Sequence, residues 1–258
     1  MLKKRLLPAA LLLLFIFGCA GPQKDTAFQT STIDALLAGV YDGDITCREL
    51  LRHGDFGIGT FDRLDGEMVL VNGNIYQIKA DGKVYRPDLA LKTPFATVCE
   101  FTPDHTLTVC PGADYNALKK LIDSSLPNQN LFYAIKITGK FRSMKTRSVP
   151  GQKKPYPPLP EVTKNQPEFS MRDISGTIVG FRCPPYVKGI NVPGYHLHFI
   201  SRDKEKGGHV LEFEVENAEC EIDVINLYTL ILPQKENEFS RTDLGRDRSR
   251  ELMEVEGK

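Results

Sequence analysis

The spacing of apolar positions along the chain changes several times, and each change marks an element. Over 31–40, Ile33, Leu36, Leu37 and Val40 recur at helical spacing behind Ser31 or Thr32 as N-cap, which predicts a short amphipathic helix. A second helix is predicted at Thr46-Cys47-Arg48-Glu49, which has the spacing of a capping box; Leu50 and Leu51 supply its apolar stripe and Gly54 ends it. From 56 to 85 the period becomes that of strands. Asp65-Gly66, Asn72-Gly73 and Asp81-Gly82 separate them, dipeptides that accept the positive φ of tight turns, so four antiparallel strands in a meander are expected. Strands over 96–101 and 106–110 follow, then a helix over 114–126 with Leu118, Leu121, Ile122 and Leu126 on one face. Segments 131–138 and 140–146 flank Gly139 as a predicted hairpin. Later strands are expected over 175–182, 195–201, 209–216, 218–224 and 226–232, before a charged tail from 236 that turns helical towards its end.

Five prolines between Pro150 and Pro160 favour extended chain that cannot donate to a ladder, and this segment is the natural division of the protein. The expected fold is α+β with two sheet-based portions. A mixed β-sheet with helices occupies 31–150, and a smaller β-barrel-like sheet with the tail occupies 151–258. Composition supports a folded domain: of 258 residues, 41% are hydrophobic and 26% charged. The formal charge is zero, with no run of basic residues interleaved with aromatics, which argues against a nucleic-acid partner.

The N-terminus reads as an export signal. Lys3, Lys4 and Arg5 precede an apolar run from Leu6 to Phe17, then Gly18, Cys19 and Ala20. The run is broken by Pro8 and shorter than the roughly 20 residues that span a bilayer. Ile16-Phe17-Gly18-Cys19 resembles a bacterial lipoprotein signal, so 1–18 is expected to be a signal peptide and 19–30 a tether, with a lipid on Cys19 holding the protein to the cell envelope; secretion without the lipid is the alternative. Export permits disulfides, yet the remaining cysteines (Cys47, Cys99, Cys110, Cys183 and Cys220) are odd in number and contain no C-x-x-C pair. They are expected to be small buried residues, with Cys99 and Cys110 a candidate pair across a hairpin.

Three of the five histidines fall within fourteen residues, in Tyr195-His196-Leu197-His198-Phe199 and Gly207-Gly208-His209-Val210. Strand alternation puts His196 and His198 on one face, with Tyr195, Leu197 and Phe199 on the other. A hairpin symmetric about Asp203-Lys204 brings His209 opposite His198, close enough for three imidazoles to share one ion. Three neutral imidazoles with an open position suit a catalytic Zn2+, whereas structural zinc sites close all four positions; Cys183 or Cys220 would have to approach in space to do so. Iron or manganese in a cupin-like barrel is the other metal reading, but Ser201 and Arg202 stand where those folds place a carboxylate. Without a metal, H-x-H is two strand histidines hydrogen-bonded at a surface.

Several segments together resemble the alpha-acetolactate decarboxylase family: LLAGVYDGD from Leu36, HGDFGIGTF from His53, LFYAI from Leu131, KTRSVP from Lys145, KPYPPL from Lys154, GINVPGYHLHF from Gly189 and GGHV from Gly207. The likeness runs from about Ser31 to the C-terminus. It implies conversion of 2-acetolactate to acetoin and CO2 at a zinc ion held by His196, His198 and His209, the trio that strand geometry also selects. It further implicates Thr60, Glu67, Arg147 and, in a Val-Glu ending, Glu256, with Glu254 two residues away as the alternative. A homodimer is what the family suggests.

The chemistry calls for such residues. Loss of CO2 from a 2-hydroxy-3-oxo acid leaves electrons that zinc, as a Lewis acid, stabilises as an enediolate. An arginine fork suits the carboxylate, and a carboxyl group of raised pKa suits proton delivery. Glu67 is expected as acid/base or hydroxyl-orienting group and Glu256 as the residue closing the site from the tail. Taken alone, Glu67 and Thr60 are ordinary strand residues, Arg147 a solvated charge and Glu256 part of a frayed end. The alternatives are an envelope zinc-binding lipoprotein that has lost the reaction, and a hydrolase or hydratase using zinc-bound hydroxide.

Overall fold

The computed structural model describes residues 23–234 and 237–256. The predicted signal peptide and Cys19 lie outside the described residues, and among those described no helix is long and apolar enough to cross a membrane. The strands are β1 (Thr26–Thr30), β2 (Ile45–Thr46), β3 (Phe56–Thr60), β4 (Glu67–Val71), β5 (Asn74–Ile78), β6 (Val84–Tyr85), β7 (Lys92–Thr93), β8 (Ala96–Cys99), β9 (His105–Val109), β10 (Phe132–Arg147), β11 (Glu168–Cys183), β12 (Gly194–Ser201), β13 (Gly207–Ile225) and β14 (Leu227–Ile231). The helices are α1 (Ile33–Leu37), α2 (Cys47–Leu50), α3 (Tyr115–Ser125), α4 (Leu159–Thr163), α5 (Glu238–Arg241) and α6 (Ser249–Glu256).

Local sequence chemistry accounts for the helix starts. The Thr32 hydroxyl accepts from the Ala35 N–H and caps α1, Thr46 and Glu49 form the full capping box of α2, and Asp114 caps α3, whose Leu118 and Ile122 are buried. The meander β3-β4-β5-β6 is present. Asn72 and Gly73, at φ 51° and 70°, make the two-residue turn between β4 and β5. The connection carrying Asp65-Gly66 is longer: Thr60 pairs with Glu67, and residues 61–66 include a 3-10 turn.

Two sheets result. The larger is mixed, in the order β14-β1-β8-β3-β4-β5-β6, with β1 and β14 parallel. The second, β10-β11-β12-β13-β9, is antiparallel and has an additional β10–β13 pairing. Sheet membership does not follow a division at residue 150. β9 and β10 precede the proline segment yet join the second sheet, while β14, near the end of the chain, joins the first. The proline segment is packed rather than free: Tyr41 donates from its hydroxyl to the Pro157 carbonyl and Tyr156 to Asp42, both bridging to the loop after α1.

Four other expectations are corrected, the first being the tether over 19–30, whose residues 26–30 form the buried strand β1 of the larger sheet. Residues 132–147 form one sixteen-residue strand, not a hairpin about Gly139. Gly139 is required because a Cβ there would lie 2.2 Å from the Asn217 carbonyl oxygen of β13; it permits a close approach rather than a turn. The strands predicted over 209–216 and 218–224 are likewise one strand, β13. Cys99 and Cys110 do not pair. Cys99 is buried in β8, Cys110 is exposed beyond β9 of the other sheet, and all five described cysteines are free.

The sheets pack face to face through Phe56, Ile58, Val69 and Ile78 of the first and Ala134, Val179, Phe181 and Ile200 of the second. Behind the first sheet α2 covers Met68 and Leu70; behind the second α3 covers Ile135, Ile137, Leu197 and Phe199. At one end of the inter-sheet space, α1, the proline segment, α4 and α6 gather Ile33, Leu36, Val149, Leu159 and Val255 into a roof. The site lies beneath it.

Candidate functional site

The histidine hairpin has the register that its symmetry predicts: His198 pairs with His209, and His209 with Arg147 on β10, giving one row across three strands. Leu197 and Phe199 enter the core against α3, so His196 and His198 face the first sheet. Asn191 holds the entry to β12. Its side-chain amide donates to Gln29 Oε1 at 2.6 Å and to Thr97 Oγ1 at 3.0 Å, anchoring the loop before the histidines to the first sheet.

The three imidazole rings have centroids 5.1, 5.1 and 5.4 Å apart, and one nitrogen from each lies within 4.8 Å of the others. His198 Nδ1 is 2.8 Å from the Met68 carbonyl oxygen. A carbonyl only accepts, so Nδ1 carries the proton and Nε2 keeps its lone pair. That Nε2 is buried with no hydrogen-bond partner. A buried lone pair facing two further imidazoles fits a metal ion, and the donor set of three nitrogens fits Zn2+. Burial pushes His196 and His198 down to about 3, with the Arg147 charge adding to the shift on His196 and His196 itself to that on His198; both rings are therefore neutral, as ligation requires.

Carboxyl groups approach from two other directions. Glu67 begins β4 on the face toward the second sheet, its Oε2 3.5 Å from His198 Nε2. Glu256 ends α6, its Oε2 3.8 Å from His196 Nε2 and 3.6 Å from His209 Nε2. Desolvation raises Glu67 to about 8, with Glu256 adding to the shift and Arg147 opposing it; Glu256 is raised mainly by burial. A cation among the imidazoles acts in the same sense as Arg147. Arg147 is 7% exposed, so the solvated charge expected of an edge residue does not hold; it donates to the Val255 carbonyl at 2.5 Å and lies 4.0 Å from Glu256. Thr60 is buried beside Glu67, and its hydroxyl donates to the Gly66 carbonyl, bracing the loop that presents Glu67. Glu254 is outside, half-exposed and paired with Arg250.

All seven residues singled out in the sequence (Thr60, Glu67, Arg147, His196, His198, His209 and Glu256) line one small cavity of about 40 Å³. An open groove of about 790 Å³ adjoins it, sharing Arg147, Gln166, His209, Val255 and Glu256, so the end of α6 stands between chamber and solvent. Sequence reasoning did not find the apolar roof or Gln166, which borders both spaces; nothing in the local pattern around 160–167 marks them. Chemically, the chamber offers three metal-ligating nitrogens, one cation able to bind a carboxylate, and two carboxyl groups inclined to hold protons.

Residues 27–246 match the family model described as alpha-acetolactate decarboxylase. The chain is 47% identical over 232 residues to an alpha-acetolactate decarboxylase of Methanosarcina mazei, covering 90% of this chain and 80% of the relative. It is 44% identical to one of Methylococcus capsulatus, covering 93% and 92%. The crystal structure of alpha-acetolactate decarboxylase from Bacillus subtilis strain 168 superimposes with a TM-score of 0.88 at 40% identity, covering 90% of this chain and all of that one.

Proposed function

The chain belongs to the alpha-acetolactate decarboxylase family, and from that premise we propose that it converts 2-acetolactate to acetoin and CO2 at a zinc ion held by His196, His198 and His209. The observation that carries the proposal is the convergence of three buried imidazoles, Arg147 and two carboxyl groups in one chamber roofed by apolar residues. Zinc held by the three histidines would supply Lewis acidity that stabilises the negative charge developing on the ketone oxygen as CO2 leaves.

The chain's own residues do the rest. Arg147, always charged, holds the carboxylate in its guanidinium fork and orients the bond to be broken. When that bond breaks, its electrons pass from the carbon bearing the hydroxyl towards the ketone oxygen, and protonation of that carbon then gives acetoin. Glu67 and Glu256 flank the imidazoles from opposite elements, and burial disposes both to hold the proton until then. The roof limits water, which strengthens each of these interactions.

The experiment is acetoin formation from racemic 2-acetolactate by the purified protein, before chelation, after chelation and after zinc is restored. Turnover that vanishes and returns supports the proposal. Absence of turnover in folded, zinc-loaded protein would leave a zinc-binding relative without the reaction, or a zinc-hydroxide hydrolase, as the better account. The N-terminal pattern supports a second, separate proposal, display at the cell envelope through a lipid on Cys19. Cys19→Ser should then move the protein from the membrane to the soluble fraction.

A further inference from the structure

Among the polar side chains facing the chamber, Gln166 is the one that takes no part in the reading above; the other buried atom without a partner whose role that reading leaves open is His196 Nδ1, on a residue already placed among the imidazoles. Thr60 donates to Gly66 and Thr163 to Pro160; the imidazoles, Glu67, Glu256 and Arg147 form the reacting cluster. Gln166 has no such employment: its Oε1 is buried and lacks a hydrogen-bond partner, which is unfavourable for an amide carbonyl. Its backbone is held on both sides. Its N–H donates to Thr163 at the end of α4, and the next carbonyl, Pro167, accepts from Ser148 N–H at 3.3 Å, which ties Gln166 to the strand end that carries Arg147. It lines both the chamber and the outer groove.

The proposed substrate has a matching need. At neutral pH its carboxylate and ketone only accept hydrogen bonds, and the tertiary hydroxyl is its one donor. Arg147 is a donor only and cannot satisfy that hydroxyl. The Gln166 carbonyl is neutral and does not titrate, so it stays an acceptor whatever the protonation of the neighbouring carboxyls. We infer that Gln166 is a specificity-determining residue, whose Oε1 accepts the hydrogen bond of the substrate hydroxyl and selects 2-hydroxy acids over acids that lack this group. The inference rests on the function proposed above. A buried acceptor built for a hydroxyl discriminates strongly, because a ligand without it leaves the acceptor unpaired.

The test pairs a near-isosteric variant with two stable acids that differ only in this group, 2-hydroxy-2-methylbutanoate and 2,2-dimethylbutanoate, as competitive inhibitors. Gln166→Leu should keep its zinc. It should raise KM for 2-acetolactate and Ki for the hydroxy acid about tenfold, and leave Ki for the dimethyl acid unchanged. Gln166→Glu, which retains an acceptor, should weaken both acids yet preserve their ratio. Equal weakening of both acids by Gln166→Leu, in an enzyme whose wild type turns over, would overturn the inference and leave the function standing. Failure of the zinc-loaded wild type to turn over would overturn both.

Discussion

The histidine side and the carboxyl side of the chamber are built by different means. His198 and His209 face each other in a continuous antiparallel ladder, with Arg147 one strand further, so their spacing is set by main-chain register and by the core behind Leu197 and Phe199. Glu67 comes from the opposite sheet, through a six-residue loop braced by Thr60, and Glu256 from the end of the last helix, held by the Arg147 bond to the Val255 carbonyl. One side is thus fixed by a single hairpin, while the other depends on packing between the sheets and on docking of the tail. Metal retention and proton transfer should therefore separate under mutation.

The largest effect is expected on the histidine side. His198→Ala removes the proposed ligand whose tautomer Met68 fixes, and should lose zinc and turnover together; a variant that still binds one equivalent of zinc tightly would refute the ligand set. On the other side, Glu67→Gln removes a proposed proton donor without altering the hairpin. Zinc content should be preserved while kcat falls by about 10²- to 10⁴-fold, as steady-state kinetics with metal analysis would show. Gly180→Ala probes the ladder itself: a Cβ there would lie 2.0 Å from the His196 carbonyl oxygen, so β12 must shift. It should cost about 1–3 kcal/mol in denaturant unfolding and weaken zinc binding, whereas an unchanged unfolding midpoint would show that β11 and β12 tolerate the separation.

The smallest effect concerns stability away from the chamber. Asp223 is buried, with one carboxylate oxygen accepting from Thr102 N–H and the other without a partner, and burial raises it to about 6. A folded-state value above the unfolded one means the stabilisation is present below about pH 4 and lost as pH rises through 6. Asp223→Asn should flatten that slope and gain up to about 2 kcal/mol at pH 7. A slope unchanged by the substitution would assign the titration to other groups.

How much of this the sequence discloses depends on which interactions are local. The register of the histidine hairpin was legible because strand alternation and turn symmetry decide it within fourteen residues. The N-caps of α1 and α2 were legible for the same reason, whereas α2 ends at Leu50, before the Gly54 expected to stop it. Gly139 was misread because a glycine that opens a turn and one that admits a neighbouring strand leave the same mark in a sequence, and only the approach of Asn217 distinguishes them. Sheet membership was illegible at β9, β10 and β14, whose partners are distant in the chain. Glu67, Arg147 and Glu256 were found through family likeness, since each taken alone reads as an ordinary surface residue. Gln166 carried no signal, as its significance arises only where α4 and the chamber meet.

The division of labour is tested most directly by measuring zinc content and acetoin turnover together in Arg147→Ala. Its backbone pairing with His209 does not depend on the guanidinium. The prediction is one zinc per chain in both wild type and variant, with turnover abolished in the variant. Retained turnover would remove Arg147 from carboxylate binding, and loss of zinc would show that the two sides of the chamber are not separable.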